Sequence, residues 1–230
     1  WTKPFPGYLE DNYYWRVWAI NACGKNCSEN AWIFKVITPL PGKPVLYSPA
    51  DGTMTNDNTP TFEWTVGSNA DNHHLLVDAS PPDWTGCAID TTILMPDNTY
   101  TPTTGLADDN YSWKVIAVNP KGENVSGVWT FFVDTQAPPA PTLQSPSDGT
   151  LTNEPTQTFD WSDVNDQSGV TYEIWIDNDS NFSSPENLEN VSVSQYTTTL
   201  ADENYSWRVK IYDGAGNENE SANWTILIDT

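Results

Sequence analysis

The chain has 230 residues, of which 31 are Asp or Glu and only 9 are Lys or Arg, giving a formal net charge of −22. Nucleic acid and anionic membrane surfaces are excluded as partners, because binding either of them requires a basic surface. The 12 Trp, 10 Tyr and 7 Phe residues exclude disorder, since they supply enough apolar surface for a packed core.

The first predicted element is a strand within the segment Tyr8–Asn21. The segment returns without a gap as Leu106–Asn119 and Leu200–Asp213, and its central tryptophans Trp15, Trp113 and Trp207 lie 98 and 94 residues apart. A repeat of about 95 residues has the size of one small β-sandwich domain. The chain opens on Trp1 without a methionine, so we expect a processed end or a fragment of a longer protein.

Residues 40–135 and 136–230 each contain the complete repeat, and both alternate apolar and polar residues as β-strands do. The block SPADGTMTNDNTPTFEW ends at Trp64, and the matching block SPSDGTLTNEPTQTFDW ends at Trp161. The sequence shows no sustained helical periodicity. It also contains no run of 18 apolar residues of the kind that could span a membrane. The sequence therefore predicts an all-β protein of tandem antiparallel sandwiches.

Residues 1–39 contain only the last strands of a repeat, roughly E, F and G. Its inner face then lacks a covering sheet, and two or three bare strands are marginally stable in water. That face comprises Tyr13, Trp15, Val17, Trp32 and Phe34. Either the missing half lies upstream in a longer protein, or another chain supplies it by β-augmentation.

These patterns resemble known modules. The Leu-x-x-x-x-Tyr-x-Trp-x-Val stretch is similar to the tyrosine corner and strand F of fibronectin type III and related immunoglobulin-like repeats of large extracellular surface proteins. Phe62-x-Trp64 and Phe159-x-Trp161 resemble strand B of these modules, and Asp134–Pro141 resembles their proline-rich junctions. The resemblance implies that the tyrosine hydroxyl bonds to backbone just upstream and that the strand B tryptophan lies in the core.

The N-glycosylation pattern Asn-x-Ser/Thr occurs nine times, where composition alone predicts roughly four. Several of the sites are predicted to lie in surface loops, where a bulky glycan fits. Composition remains the alternative explanation. The nine sites are Asn26, Asn110, Asn124, Asn178, Asn181, Asn190, Asn204, Asn219 and Asn223.

Cys23 and Cys27 bracket a predicted F–G turn, so we favour a local disulfide between them. A zinc site is the alternative, although no further Cys or His cluster completes four ligands. Cys87 is expected to be a free thiol or an intermolecular link.

We expect no cofactor, with structural calcium as the alternative. Asn56–Phe62 resembles a cadherin junction sequence, and Asp163–Gly169 and Asp213–Glu220 are oxygen-rich loops. None of them has EF-hand spacing, and turn formation explains them without a metal. The adjacent histidines His73 and His74 face opposite sides of a strand and have no evident catalytic partner, so we expect no enzyme activity.

Eight tryptophans occupy repeated core positions. Trp18, Trp84 and Trp175 do not, and they could form surface contacts with sugar rings or with neighbouring repeats. The leading functional prediction is an extracellular structural module of a cell-surface, sheath, filament or stalk protein that assembles with further repeats or copies. The alternatives are an adhesin or carbohydrate-binding module that contacts cell-surface glycans through exposed Trp, and a spacer within a larger secreted hydrolase.

Overall fold

The structure is a computed structural model that describes residues 11–185 and 187–230. These residues form 22 β-strands and no helix, which confirms the all-β prediction. The described part of the chain thus has no helix of the length and apolar character needed to cross a bilayer. Tyr8 and the predicted strand E of the first repeat lie outside the described residues.

The first segment forms two small antiparallel ladders. Its strands are β1 (Asn12–Trp15), β2 (Trp18–Asn21), β3 (Gly24–Cys27) and β4 (Trp32–Lys35). β1 pairs with β4 and β2 pairs with β3, which is the F–G half of a sandwich. Trp15, Val17, Trp32 and Phe34 of the predicted inner face are all exposed.

The second repeat forms a two-sheet sandwich. Its strands are β5 (Leu46–Ser48), β6 (Thr53–Thr55), β7 (Phe62–Trp64), β8 (Asn72–Ala79), β9 (Ile89–Leu94), β10 (Thr99–Tyr100), β11 (Asp109–Asn119), β12 (Gly122–Val125) and β13 (Trp129–Val133). One sheet has the order β10-β7-β5 and the other β6-β13-β11-β8-β9, with β12 paired to β11. Among the described strands of this repeat, β6 and β13 are the one pair that runs parallel.

The third repeat has the same topology. Its strands are β14 (Leu143–Ser145), β15 (Thr150–Thr152), β16 (Thr156–Trp161), β17 (Val170–Asp177), β18 (Asn187–Val191), β19 (Gln195–Thr199), β20 (Asn204–Asp213), β21 (Glu218–Glu220) and β22 (Trp224–Ile228). Its sheets have the orders β14-β16-β19 and β15-β22-β20-β17-β18, with β21 paired to β20. β11 and β20 are therefore strand F of the two complete repeats.

Aromatic side chains join the two sheets of each sandwich, because alternate residues of a strand point to the same face. Phe62 packs edge-on against Trp113 at 5.2 Å between ring centroids, and Phe159 packs likewise against Trp207 at 4.9 Å. The strand B tryptophans Trp64 and Trp161 are buried, as expected. The Tyr111 hydroxyl donates to the Ala107 carbonyl at 3.1 Å, which confirms the tyrosine corner of the second repeat.

Candidate functional site

The first repeat junction is held by two asparagine side chains of the F–G hairpin. The Asn119 amide Nδ2 donates to the Pro39 and Asn69 carbonyls, both at 2.9 Å. The Asn124 Nδ2 donates to the Pro41 carbonyl at 3.3 Å. Because Pro39 and Pro41 lie in the linker before the second repeat, this repeat holds the linker that enters it.

Backbone contact reinforces this junction. The Gly42 amide donates to the Ser68 carbonyl at 2.7 Å, and a Cβ placed on Gly67 would lie 2.3 Å from the Gly42 carbonyl oxygen. A side chain at Gly67 would therefore push the linker away from the repeat.

The second junction is held in the same way by different residues. The Asn217 Nδ2 donates to the Asp134 and Gln136 carbonyls at 2.8 and 3.2 Å. The Asn219 Nδ2 donates to the Pro138 carbonyl at 3.0 Å. The preceding repeat also takes part, because the Met54 sulfur lies 3.0 Å from where a Cβ on Gly214 would be.

Three carboxylates meet at the second junction. Asp134, Asp166 and Asp213 offer oxygens within 4.8 Å of one another, and Asp134 and Asp213 are buried. Two of them come from the oxygen-rich loops noted in the sequence, and oxygen ligands suit Ca²⁺. Each carboxylate, however, also accepts local backbone hydrogen bonds, as expected for a turn-forming residue.

The cadherin-like segment is organised by local hydrogen bonds. The Asp57 carboxylate accepts from the Thr59 amide at 2.8 Å and from the Thr59 hydroxyl at 3.0 Å. This is the geometry of an Asx turn, so turn formation accounts for the Asp-Asn-Thr sequence.

The outer face of strand F carries a cation that lies over an aromatic ring in both complete repeats. Lys114 and Arg208 occupy the same position, directly after the core tryptophan. The Lys114 ammonium lies 3.8 Å from the Trp84 ring centroid, and the Arg208 guanidinium lies 4.5 Å from that of Phe182. Such contacts contribute about 0.5–2 kcal/mol each.

Both aromatic residues have a positive φ, 61° for Trp84 and 51° for Phe182. This conformation is uncommon for large side chains and costs about 1–3 kcal/mol. A buried aspartate at the end of the preceding strand organises each loop: Asp78 accepts from the Trp84 amide at 2.7 Å, and Asp177 accepts from the Ser184 amide at 3.3 Å. Loop and strand together therefore fix the aromatic ring over the cation.

The other two candidate contact tryptophans also lie beside cations. Trp175 is half-buried, with Arg208 and Lys210 each 4.8 Å from its ring centroid. Trp18 is 53% exposed, and Lys25 lies 5.2 Å from its ring centroid. Each of these rings thus has a cation near one face.

The thiols of Cys23 and Cys27 are unbonded in the structure, and a disulfide between them stays a prediction. The hairpin register places Cys27 opposite Trp18, whereas Cys23 lies in the turn. The two thiols therefore do not face each other across the hairpin. Cys87 is also free, and burial together with the nearby Asp78 and Asp90 raises the pKa of its thiol.

Both histidines have structural roles. His73 is completely buried, and its Nε2 accepts from the Gly67 amide at 3.2 Å. Burial lowers the pKa of His73, and the acceptor role requires an unprotonated Nε2. His74 pairs with Asp90 on the neighbouring strand.

The nine glycosylation motifs occupy different environments. Asn124 is half-buried, and the exposed asparagines are Asn26, Asn110, Asn178, Asn181, Asn190, Asn204, Asn219 and Asn223. The serine of the motif is buried in several of them: Ser112, Ser126, Ser206 and Ser221. The sequence pattern therefore does not separate accessible sites from sites used in the fold.

Sequence reasoning missed Asn119 and Asn217 as linker-holding residues. It also missed the role of Ser126 and Ser221. The Ser126 hydroxyl accepts from the Val115 amide at 2.9 Å and donates to the Gly127 carbonyl at 2.6 Å. Ser126 and Ser221 each stand three residues before a repeated strand G tryptophan, Trp129 or Trp224, and this recurrence was the available signal for the serines.

Comparison with known proteins places the sandwiches in context. The model of the Bacterial Ig-like domain family matches residues 142–230. The Clostridium thermocellum CbhA fibronectin(III)-like modules superpose with a TM-score of 0.52 at 16% identity, covering 81% of this chain and 94% of that chain. The chicken CNTN1 FN1–FN3 domains give a TM-score of 0.47 at 16% identity, covering 95% and 78%. The search of curated proteins found no match.

The family match to the third repeat and the shared fold agree with the resemblance read from the sequence. Modules of this kind are generally non-catalytic and typical of extracellular proteins. The chain therefore consists of tandem β-sandwiches with the fibronectin type III-like, Ig-like fold.

Proposed function

We propose that the chain is a rigid, non-catalytic segment of a cell-surface, sheath, filament or stalk protein. The observation that carries this proposal is the attachment of each linker to the repeat that it enters. Asn124 and Asn219 hold the linkers before the second and third repeats, with Pro41 and Pro138 as acceptors. Short proline-rich linkers held in this way would transmit a fixed orientation from one sandwich to the next.

The surface chemistry supports an exposed location. The net charge of −22 favours solubility and discourages nonspecific self-association. Exposed asparagines such as Asn190 and Asn223 offer acceptors for N-linked glycans in a host that makes them. Further repeats or copies would complete the exposed F–G half of the first segment.

A rod function is favoured over glycan adhesion. Sugar-binding sites usually present open aromatic faces for stacking, whereas cations lie over the rings of Trp84 and Trp175. These contacts would hold the aromatic side chains against the sheet. They also involve several of the few basic residues in an acidic chain.

Two measurements test the proposal. Small-angle X-ray scattering of the chain should give the profile of an elongated particle with its repeats in line. Gold-labelled antibodies against the chain should bind intact cells of the source organism. A profile of independently tumbling domains, or labelling only after the cells are permeabilised, would contradict it.

A further inference from the structure

The Asn-x-Ser motifs at 124–126 and 219–221 have a second explanation in the fold. We propose that each motif is a linker clamp, in which the asparagine holds the linker and the serine anchors the hairpin, and that neither asparagine carries a glycan. This inference rests on the proposed rod function and names the residues that make the rod rigid.

The asparagine of each motif reaches the same place. Asn124 and Asn219 lie opposite equivalent residues of strand F, Ala117 and Ile211. Their Nδ2 atoms donate to the carbonyls of Pro41 and Pro138. These two prolines each stand five residues before the first strand of the repeat, which begins at Leu46 or Leu143, so the contact recurs in register.

A second linker carbonyl, two residues earlier, is also held at both junctions. Alternate carbonyls of an extended segment point to the same side, so one hairpin can reach both. In the second repeat, Asn119 donates to the carbonyl of the linker residue Pro39. In the third repeat, Asn217 donates to the carbonyl of the linker residue Gln136. The acceptor position is kept although the donor position differs, which indicates that holding the linker is the shared feature.

The serine of each motif secures the hairpin that carries the asparagine. The hydroxyls of Ser126 and Ser221 accept from the strand F amides of Val115 and Val209, both at 2.9 Å. Both serines are buried, and their own amides donate back to the same two valines. The motif thus connects strand F to the linker through two fixed side chains.

An N-linked glycan would attach to the nitrogen that makes the linker contact. At Asn219 this nitrogen lies 3.0 Å from the Pro138 carbonyl oxygen, so a sugar there would replace one of its two hydrogens and crowd the linker. Asn223, four residues later, is exposed and lies outside this contact. It therefore provides a matched control within the same F–G region.

Pulsed electron paramagnetic resonance on the whole chain tests the clamp. Spin labels at Thr92→Cys and Asn190→Cys, with Cys23, Cys27 and Cys87 replaced by Ser, report the distance between the second and third repeats. The parent protein should give one narrow distance peak. Asn219→Asp, which removes the donor and keeps the size, should broaden it, and Asn217→Ala with Asn219→Ala should abolish the single peak.

Asn223→Asp should leave the peak unchanged, and near-UV circular dichroism should show that every variant keeps its packed tryptophan core. A narrow peak in the parent and an equally narrow peak in both clamp variants would overturn the clamp and leave the rod function standing. A broad peak in the parent would overturn the rod function itself. Glycan at Asn124 or Asn219 at the level found at Asn223, after secretion from a eukaryotic host, would also overturn the clamp.

Discussion

Asp213 and Asn119 occupy the same position at the end of strand F, but only Asn119 can donate a hydrogen bond to the linker. In the third repeat the donor is Asn217, and the Asp213 carboxylate accepts from its Nδ2 at 2.7 Å and from its amide at 2.8 Å. The third repeat thus has the Asp213 carboxylate where the second has the Asn119 amide. Asn217 in the turn supplies the hydrogen-bond donor to the linker instead.

Replacing Asp213 by Ala should destabilise the third repeat. The carboxylate is buried and also accepts from the Ala215 amide at 3.0 Å, so its loss leaves several donors unsatisfied. We expect a loss of about 1–3 kcal/mol in the free energy of unfolding, measured by urea denaturation. Asp229→Ala, at an exposed carboxylate, is the control, and an equal effect of both changes would contradict this account.

Ser126→Ala should destabilise the second repeat, and Ser221→Ala the third. Each change leaves a strand F amide without its hydroxyl acceptor, which costs about 1–3 kcal/mol. Differential scanning calorimetry should show a lower melting temperature for the altered repeat. Ser180→Ala, in an exposed turn, should have little effect, and an unchanged melting temperature for Ser126→Ala would refute the anchoring role.

His73→Tyr should remove part of the acid sensitivity of the second repeat. The pKa of His73 is lowered in the folded state, so its stabilising contribution is complete above the unfolded value of about 6.5 and is lost as the pH falls through the folded value. One such group changes stability by at most about 1.4 kcal/mol per pH unit.

Tyrosine is the matched replacement, because Tyr172 occupies this position in the third repeat and its hydroxyl accepts from the Val164 amide at 2.9 Å. Urea midpoints at pH 7.5 and 5.5 should differ less in the variant than in the parent. An unchanged difference would show that His73 does not titrate with unfolding.

The first segment, which comprises β1 to β4, should exchange its amide hydrogens fastest. Trp15 and Trp32 stack at 6.2 Å with an interplanar angle of 29°, and both remain exposed, whereas Trp113 is fully buried in the second repeat. Hydrogen exchange followed by mass spectrometry should show early exchange in β1–β4 and late exchange in β8 and β11. Equal protection of β1–β4 and β11 would mean that this face is covered in solution.

Glycan mapping should distinguish exposed acceptors after secretion from a eukaryotic host. Asn190 on β18 and Asn223 before β22 are exposed, so we expect glycan at both. Enzymatic deglycosylation in heavy-oxygen water, followed by peptide mass spectrometry, would mark each occupied asparagine. A bare chain would remove the support that the nine motifs give to a surface glycoprotein.

The sequence by itself determined the fold class and the core. Residues such as Trp64, Trp113 and Tyr111 recur at fixed spacing, and a period of two with a buried face leaves one way to pack them. The sequence also identified the first segment, β1 to β4, as strands F and G of a repeat, because strand register follows from local alternation. The disulfide between Cys23 and Cys27 stays a prediction, because spacing alone does not tell which residues face each other across a hairpin.

Only the tertiary structure decided what the polar side chains do. Asn124 and Asn190 belong to the same sequence motif, yet one holds a linker more than 80 residues away along the chain and the other lies on an edge strand. Trp84 lies beside Lys114, and Asp134 beside Asp213, through contacts between distant segments. Hydrogen-bond partners depend on atoms meeting within about 3 Å, a condition that local sequence patterns do not encode.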